Sequence, residues 1–163
     1  MLRVASVGSG SKGNATLVAS EETTLLIDCG FPAREMLSRL DLLDVGVSDI
    51  DAILVTHEHS DHVGGVVAVS KAAGAPIFAT HGTLTSGKLD GARSMVEIES
   101  DSEFAIGDIE VSAVTVPHDA KEPVQFVFKH AARRVGILTD LGMVSPHVQR
   151  AYEGCDLLLL EFN

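Results

Sequence analysis

The stretch Val55-Thr-His-Glu-His-Ser-Asp-His62 decides the fold, because it places four common metal-binding residues within six consecutive positions. These residues are His57, His59, Asp61 and His62. Chance would produce such a pattern in roughly one chain in a thousand of this composition. Imidazole combined with carboxylate suits Zn²⁺, Mn²⁺ or Fe²⁺, whereas sites for Ca²⁺ and Mg²⁺ are built mostly from oxygen. The stretch therefore predicts a dinuclear site for transition-metal ions.

The metal-binding stretch lies between a predicted strand and a predicted helix. The apolar run at 51–56 is typical of a strand, and the spacing of valines at 62–74 predicts a helix that ends at Gly74. The carboxyl end of a strand is where α/β folds build their sites. Because residues two apart project to the same side, His57 and His59 can share one metal ion while Asp61 and His62 turn toward a neighbouring ion.

Apolar periodicity and turn residues predict the other elements. Strands are expected at 3–7, 16–19, 24–27, 76–79, 109–116, 125–129 and 133–139, with a buried strand at 157–160. Helices are expected at 32–42 and 145–153, each with a proline in its first turn. The segment Ser9-Gly-Ser-Lys-Gly-Asn14 is predicted to be a loop. It either joins a hairpin or brings backbone N–H groups close to a phosphate near the metal ions.

Composition indicates a single domain spanning residues 1–163, because 45% of the residues are apolar and no low-complexity stretch divides the chain. We expect no membrane segment, no signal peptide and a cytoplasmic location. Cys29 and Cys155 are expected to be free, buried thiols. The net charge of −11 disfavours attraction of nucleic acid at long range. Phosphodiester chemistry confined to the site stays possible, since bound divalent cations would offset part of that charge.

Other polar residues follow the predicted strands elsewhere in the chain. They are Asp28, His118, Asp119 and Asp140. Asp119 and Glu122 are candidates either to support His118 or to face a substrate, and the alternative is that they are exposed loop carboxylates. The remaining histidines are predicted to be surface or capping residues, and they are His81, His130 and His147.

These motifs together resemble the metallo-β-lactamase superfamily. The stretches at 9–14, 55–62, 118–124, 139–142 and 161–163 look most like its YycJ/WalJ branch, which is related to phosphodiesterases of the ribonuclease Z type. The resemblance runs along essentially the whole chain. It implies an α/β (α+β) fold, the four-layered αββα sandwich, with the site at one edge of the two sheets.

The resemblance also implies a role for individual residues. One divalent ion, Zn or Mn, would be bound by His57, His59 and His118, and a second by Asp61, His62 and a bridging Asp140. Asp28 would lie beneath the site and orient the ligands by hydrogen bonding, unless it is only a turn residue at a strand end. Asp61 and Glu161 would be catalytic, the first by orienting the nucleophile and the second near the leaving group.

The implied activity is metal-dependent hydrolysis. The leading hypothesis is a phosphodiesterase or exonuclease on DNA or RNA, in which a hydroxide formed between two metal ions attacks phosphorus. The alternative is a thioester or lactone hydrolase, because the same ligand pattern serves that chemistry in the superfamily and the chain is acidic. A β-lactamase is disfavoured, since those zinc enzymes commonly use a cysteine ligand and neither Cys29 nor Cys155 occupies a ligand position.

The C-terminal end departs from the pattern of the superfamily. Relatives complete the second metal site with a further histidine, whereas no histidine follows His147 in this sequence. We therefore expect a chain that is truncated at its C-terminus, with a weak second metal site. A metal-binding but inactive fragment is the third hypothesis, because loss of one ligand lowers metal affinity strongly.

Overall fold

The computed structural model describes residues 1–161 and contains two β-sheets. The six strands of the first sheet are β1 (Arg3–Gly8), β2 (Ala15–Ala19), β3 (Thr24–Ile27), β4 (Ala52–Leu54), β5 (Ile77–Thr80) and β6 (Met95–Ile98). The five strands of the second sheet are β7 (Glu103–Ile106), β8 (Ile109–Thr115), β9 (Val124–His130), β10 (Arg133–Leu138) and β11 (Leu157–Leu160).

Each sheet follows the chain from one edge to the other. In the first sheet, β1, β2 and β3 pair antiparallel, and β3 to β6 then pair parallel. The second sheet has the order β11-β10-β9-β8-β7, with a parallel pair only at β10 and β11. Parallel pairs need crossover connections, and helices supply them in the first sheet.

Five α-helices accompany the sheets in the described part of the chain. They are α1 (Ala33–Asp41), α2 (Ser60–Val63), α3 (Val66–Ala73), α4 (His81–Leu84) and α5 (Pro146–Tyr152), beside a 3-10 turn at Val47–Asp49. Buried residues of α1 and α3 pack on the outer face of the first sheet, and those of α5 pack on the outer face of the second. The layers are thus helix, sheet, sheet and helix, which confirms the αββα architecture.

Alternation along the strands explains why both faces of the first sheet are covered. Leu25 and Leu54 point to the space between the sheets, where they pack with Phe126 of the second sheet. Leu26 and Ile53 point the other way, toward α1 and α3. A strand buried on both faces reads as a continuous apolar run, as β3 and β4 do. The polar residues that follow these two strands emerge together at one edge of the sandwich.

The predicted strands agree with the structure to within about two residues, except that β6 and β7 were not predicted. Both lie at sheet edges, and most of their residues are exposed or only partly buried. Their apolar signal is therefore weak. Pro32 precedes α1 as its cap instead of opening the helix, whereas Pro146 is the first residue of α5 as predicted.

The prediction of one helix from 62 to 74 was wrong. The structure divides this segment into α2 and α3 at Gly64 and Gly65. Gly65 donates a backbone hydrogen bond to Cys29 O (2.7 Å), and a Cβ atom at Gly65 would lie 2.0 Å from Phe31 O. The turn after β3 passes too close for any larger residue, and this contact separates the two helices.

The prediction of a buried strand at 157–160 was also wrong in part. A strand forms there, but Leu157, Leu158 and Leu160 are 47%, 43% and 41% exposed. The reason is position, because β11 is the edge strand of the second sheet and pairs only with β10 in the described structure. Apolar composition predicted that β11 forms a strand, but it did not predict its position at the edge of the sheet.

Two predictions about composition can be compared with residues 1–161. Both cysteines are free, as predicted, although Cys155 is only partly buried. Burial raises the pKa of the Cys29 thiol to about 12, so this side chain is an inert part of the core. Within the described range, no helix has the length and apolar character needed to cross a membrane.

Candidate metal centre

Three imidazoles from two separate loops converge at the edge of the sandwich. His57 Nε2 lies 3.1 Å from His59 Nδ1, and His118 Nε2 lies 3.2 Å and 3.3 Å from those two atoms. His57 and His59 follow β4, whereas His118 follows β8 of the other sheet. Tetrahedral zinc with Zn–N bonds of about 2.0–2.1 Å requires nitrogens about 3.3 Å apart. The triangle formed by His57, His59 and His118, called the first site below, therefore fits one face of a metal coordination shell.

A second group of ligands lies directly beside the first. Potential ligand atoms of His57, His62 and Asp140 all lie within 4.8 Å of one another, and the rings of His57 and His62 are 4.1 Å apart. Asp61 Oδ2 lies 3.6 Å from His62 Nε2. The structure thus brings Asp61, His62 and Asp140 together, and we call this group the second site. Asp140 adopts φ +47°, an uncommon conformation that turns its side chain out of the end of β10.

One buried oxygen of the second site lacks a hydrogen bond. Asp140 Oδ2 lies 2.8 Å from His62 Nε2, but among the described residues it has no donor in hydrogen-bond alignment. His62 uses its other nitrogen, Nδ1, to contact Asp28 Oδ2 at 2.8 Å. A buried acceptor facing an imidazole nitrogen at this distance requires a proton or a cation between them. This arrangement fits a divalent cation, as does the donor set of the first site.

Asp28 lies beneath the second site and is almost completely buried. Its two oxygens accept hydrogen bonds from Thr56 N (2.8 Å) and Thr56 Oγ1 (2.7 Å), in addition to the contact with His62. Thr56 Oγ1 also lies 2.9 Å from His57 Nδ1. A contact at Nδ1 leaves Nε2 of each histidine facing the site, which is how outer residues usually orient metal ligands.

The electrostatics differ between the two adjacent histidines. Burial lowers the pKa of His57 to about 2, and the neighbouring His62, His118 and His59 add to this effect. Burial also opposes a proton on His62, but the carboxylates of Asp28 and Asp140 raise its pKa to about 10. Burial therefore favours the neutral form of His57, which is the form that binds metal ions, whereas the two carboxylates favour a proton on His62.

Sequence reasoning missed three residues that support this centre. Thr56 links Asp28 to His57, Asn14 contacts both Asp61 and His62, and Glu58 Oε1 accepts a hydrogen bond from Lys121 N at 2.9 Å. Thr56 and Glu58 belong to the metal-binding stretch, and Asn14 ends the predicted loop at 9–14. Their positions within these motifs were a signal of a role. Their hydrogen-bond partners, however, include residues too distant in sequence to be predicted from spacing.

The two carboxylates proposed to flank His118 have different surroundings. Glu122 bonds Gly82 N (2.8 Å) and Ser100 Oγ (2.6 Å), so it fastens the loop to α4 and to the turn before β7. Asp119 is exposed, and no hydrogen bond from its side chain to a ligand is present in residues 1–161. Its predicted support of His118 is at most electrostatic.

Glu161 is the last residue that the structure describes, and it stands apart from both groups of ligands. It lines a cavity of about 50 Å³ together with Asp28, Asn14 and Thr139, and its Oε2 atom is buried without a hydrogen-bond partner in the described structure. The cavity lies under the second site. The other histidines pair with surface or partly buried carboxylates, as His81 with Glu97, His130 with Asp108 and His147 with Asp101.

Comparison with known proteins identifies similar sequences along the whole chain. The model of the beta-lactamase superfamily domain matches residues 23–163. Exodeoxyribonuclease YycJ of Bacillus anthracis is 30% identical over 165 residues, which cover 96% of this chain and 61% of that protein. Exodeoxyribonuclease WalJ of Streptococcus pneumoniae is 32% identical, again with 96% and 61% covered. The chain spans about three fifths of the length of these curated relatives.

Solved structures share the architecture. The metallo-β-lactamase fold protein YhfI from Bacillus subtilis superposes with a TM-score of 0.81 and covers 96% of this chain and 69% of its own. The two sequences are 18% identical, so this likeness concerns the fold alone.

Proposed function

The chain belongs to the β-lactamase superfamily, and from this premise we propose that it forms the metal-binding part of a phosphodiesterase, specifically an exonuclease that acts on DNA. One observation carries the proposal. His57 of the first site also lies within 4.8 Å of the ligand atoms of His62 and Asp140, so the two sites are adjacent, which is the arrangement that two-metal hydrolysis requires. The substrate follows from the names of the curated relatives, which are exodeoxyribonucleases.

The residues divide into two sets of ligands for Zn²⁺ or Mn²⁺. His57, His59 and His118 would hold one ion, and Asp61, His62 and Asp140 would hold the other. Two bound divalent ions supply Lewis acidity toward phosphate oxygens and lower the pKa of water. Asp28 holds His62 with Nε2 facing the site, and Thr56 does the same for His57.

Asp61 and Glu161 are the carboxylates proposed to act on the reacting groups. Asp61 has one oxygen 3.3 Å from Asn14 Nδ2, which leaves the other free to accept a hydrogen bond from the attacking water and orient it. Glu161 Oε2 is buried without a hydrogen-bond partner in the described structure, and the side chain lines the cavity beside Asp28 and Asn14. We propose that Glu161 acts near the leaving group.

A thioester or lactone hydrolase is the second candidate. The net charge of −11 favours it, because an acidic protein attracts a polyanion less well than it attracts a small ester. The same ligand arrangement would serve either substrate, so the choice depends on activity measurements.

The experiment compares the two classes of substrate, phosphodiesters and a thioester, on one protein preparation. The protein is loaded with Zn²⁺ or Mn²⁺, and hydrolysis of bis-p-nitrophenyl phosphate, of end-labelled single-stranded DNA and of a thioester is measured. We expect metal-dependent phosphodiester cleavage that falls at least about 100-fold in His118→Ala, since even residues that only support a ligand are worth 10–100-fold. Ser70→Ala is the control, because Ser70 is buried in α3 and bonds Ala75 O.

Two results would overturn the proposal. One is cleavage of the thioester by the metal-loaded protein while both phosphodiesters stay intact. The other is phosphodiester cleavage that survives His118→Ala and chelation of the metal, because the activity would then come from elsewhere.

A further inference from the structure

Asn14 ends the loop at 9–14, to which the proposed mechanism assigns no task. Its side chain is 5% exposed, whereas Ser9, Ser11 and Lys12 at the tip of the loop are exposed. Asn14 Oδ1 accepts a hydrogen bond from Gly10 N at 3.0 Å. This contact fixes the orientation of the amide, since an exchanged oxygen and nitrogen would place two donors against each other.

The other end of the amide faces the second site. Asn14 Nδ2 lies 3.3 Å from Asp61 Oδ2 and 3.1 Å from His62 Nε2. The backbone of Asn14 adds two further contacts, because its N donates to Asp61 O (2.7 Å) and its O accepts from Gly30 N (3.0 Å). Asn14 therefore contacts Asp61 with both its main chain and its side chain.

The packing around this contact leaves little freedom. A Cβ atom at Gly30 would lie 1.8 Å from Asp61 O, so the turn after β3 presses against the beginning of α2. The backbone of Asp61 is held by this turn and by Asn14, and the remaining freedom lies in the rotation of its carboxylate. The amide of Asn14 is the side-chain donor that the described structure provides for that carboxylate.

We propose that Asn14 is a positioning residue of the second site. Its amide donates to Asp61 Oδ2 and thereby fixes the rotation of the carboxylate that would bind the second cation. A neutral donor suits this task, because it orients the carboxylate without competing for the cation, whereas a lysine would neutralise the ligand. The inference rests on the metal sites of the proposed function and adds a residue to them.

The test measures metal binding without any substrate. Zn²⁺ is titrated into the protein in competition with a chromophoric chelator, which resolves the affinities of the two sites. We expect Asn14→Ala to raise the Kd of the second site by about 10–100-fold and to leave that of the first site within about threefold. We expect the same change in affinity for Asn14→Ser, which keeps a short polar group. This variant takes the place of Asn14→Ala if the alanine variant does not fold. Ser70→Ala, which removes the buried hydrogen bond from Ser70 Oγ to Ala75 O, should change neither affinity.

A double-mutant cycle separates positioning from general destabilisation. If Asn14 acts through Asp61, the effect of Asn14→Ala should shrink to within about threefold in an Asp61→Asn background. Equal loss at both sites would overturn the inference, and so would a full effect in the Asp61→Asn background. Because zinc affinity is read directly, failure to cleave DNA would contradict the proposed function and leave this result unaffected.

Discussion

The first and second sites touch each other through His57, yet they are built in opposite ways. The first site consists of three imidazoles, of which His57 is buried and His59 and His118 are more accessible, with nitrogens spaced by 3.1–3.3 Å. The second site combines the fully buried His62 with two carboxylates, and Asp28 and Asn14 from the N-terminal part of the chain contact His62. The buried carboxylates of the second site need a hydrogen-bond donor or a cation for their oxygens, whereas the first site contains imidazoles alone. The six positions 57–62 thus supply candidate ligands to two sites with different surroundings.

The largest effect should come from Asp28→Ala. This change removes three buried hydrogen bonds at once, from Thr56 N, Thr56 Oγ1 and His62 Nδ1. We expect the free energy of unfolding of the metal-free protein to fall by about 3–5 kcal/mol, as when one partner of a buried ion pair is deleted. Urea denaturation measures this loss, and metal analysis should find the second site empty and the first still filled. Near-normal occupancy of the second site would show that its ligands do not depend on Asp28.

The next effect should come from His118→Ala, which acts on the other site. His118 is half-buried and supplies one corner of the imidazole triangle. We expect Zn²⁺ affinity at the first site to fall at least about 100-fold and the free energy of unfolding without metal to change by less than about 1 kcal/mol. Titration with Zn²⁺ should leave the second site within about tenfold of its original affinity. An equal loss of Zn²⁺ affinity at both sites would mean that the two sites bind metal as one unit. The comparison between two separate sites would then be wrong.

A smaller effect is expected at Glu58, which lies between two ligands of the first site. Glu58 Oε1 accepts a hydrogen bond from Lys121 N and so holds the loop that carries His118. Glu58→Ala should weaken the first site by about tenfold, whereas Glu58→Gln keeps an acceptor for Lys121 N and should stay within about threefold. Zinc titration of both variants gives the comparison. If the glutamine variant is as weak as the alanine variant, the charge of Glu58 matters more than its hydrogen bond.

The smallest effect is expected for Asp119→Asn. Asp119 follows His118 directly but is exposed, and an exposed charge acts weakly through water. Zinc affinity at the first site should change by less than about twofold at physiological salt. A loss of tenfold or more would show that this carboxylate holds His118 by contact, as the sequence prediction supposed.

The sequence predicted most of the fold for reasons of short range. The apolar runs that form β3, β4, β8 and β10 are continuous or alternating. The polar residues after these runs indicated the edge of the sandwich at which the site lies. The prediction failed where a residue that is distant in sequence but close in space determines the secondary structure or the burial of a segment. The helix predicted at 62–74 breaks at Gly65 because a turn from another part of the chain lies against it, and β11 is exposed because it is at an edge.

The same division applies to the metal centre. By itself, the sequence determined the kind of ligand and its attachment to the end of a strand, because ligand chemistry and strand periodicity are local properties. Only the tertiary structure decided which ligands meet at one ion and which residues support them. Asn14 reaches Asp61 across 47 positions of sequence, and His118 joins His57 across 61. The first contact joins two loops of one sheet, and the second arises when the two sheets pack face to face, so no spacing within a single segment encodes either of them.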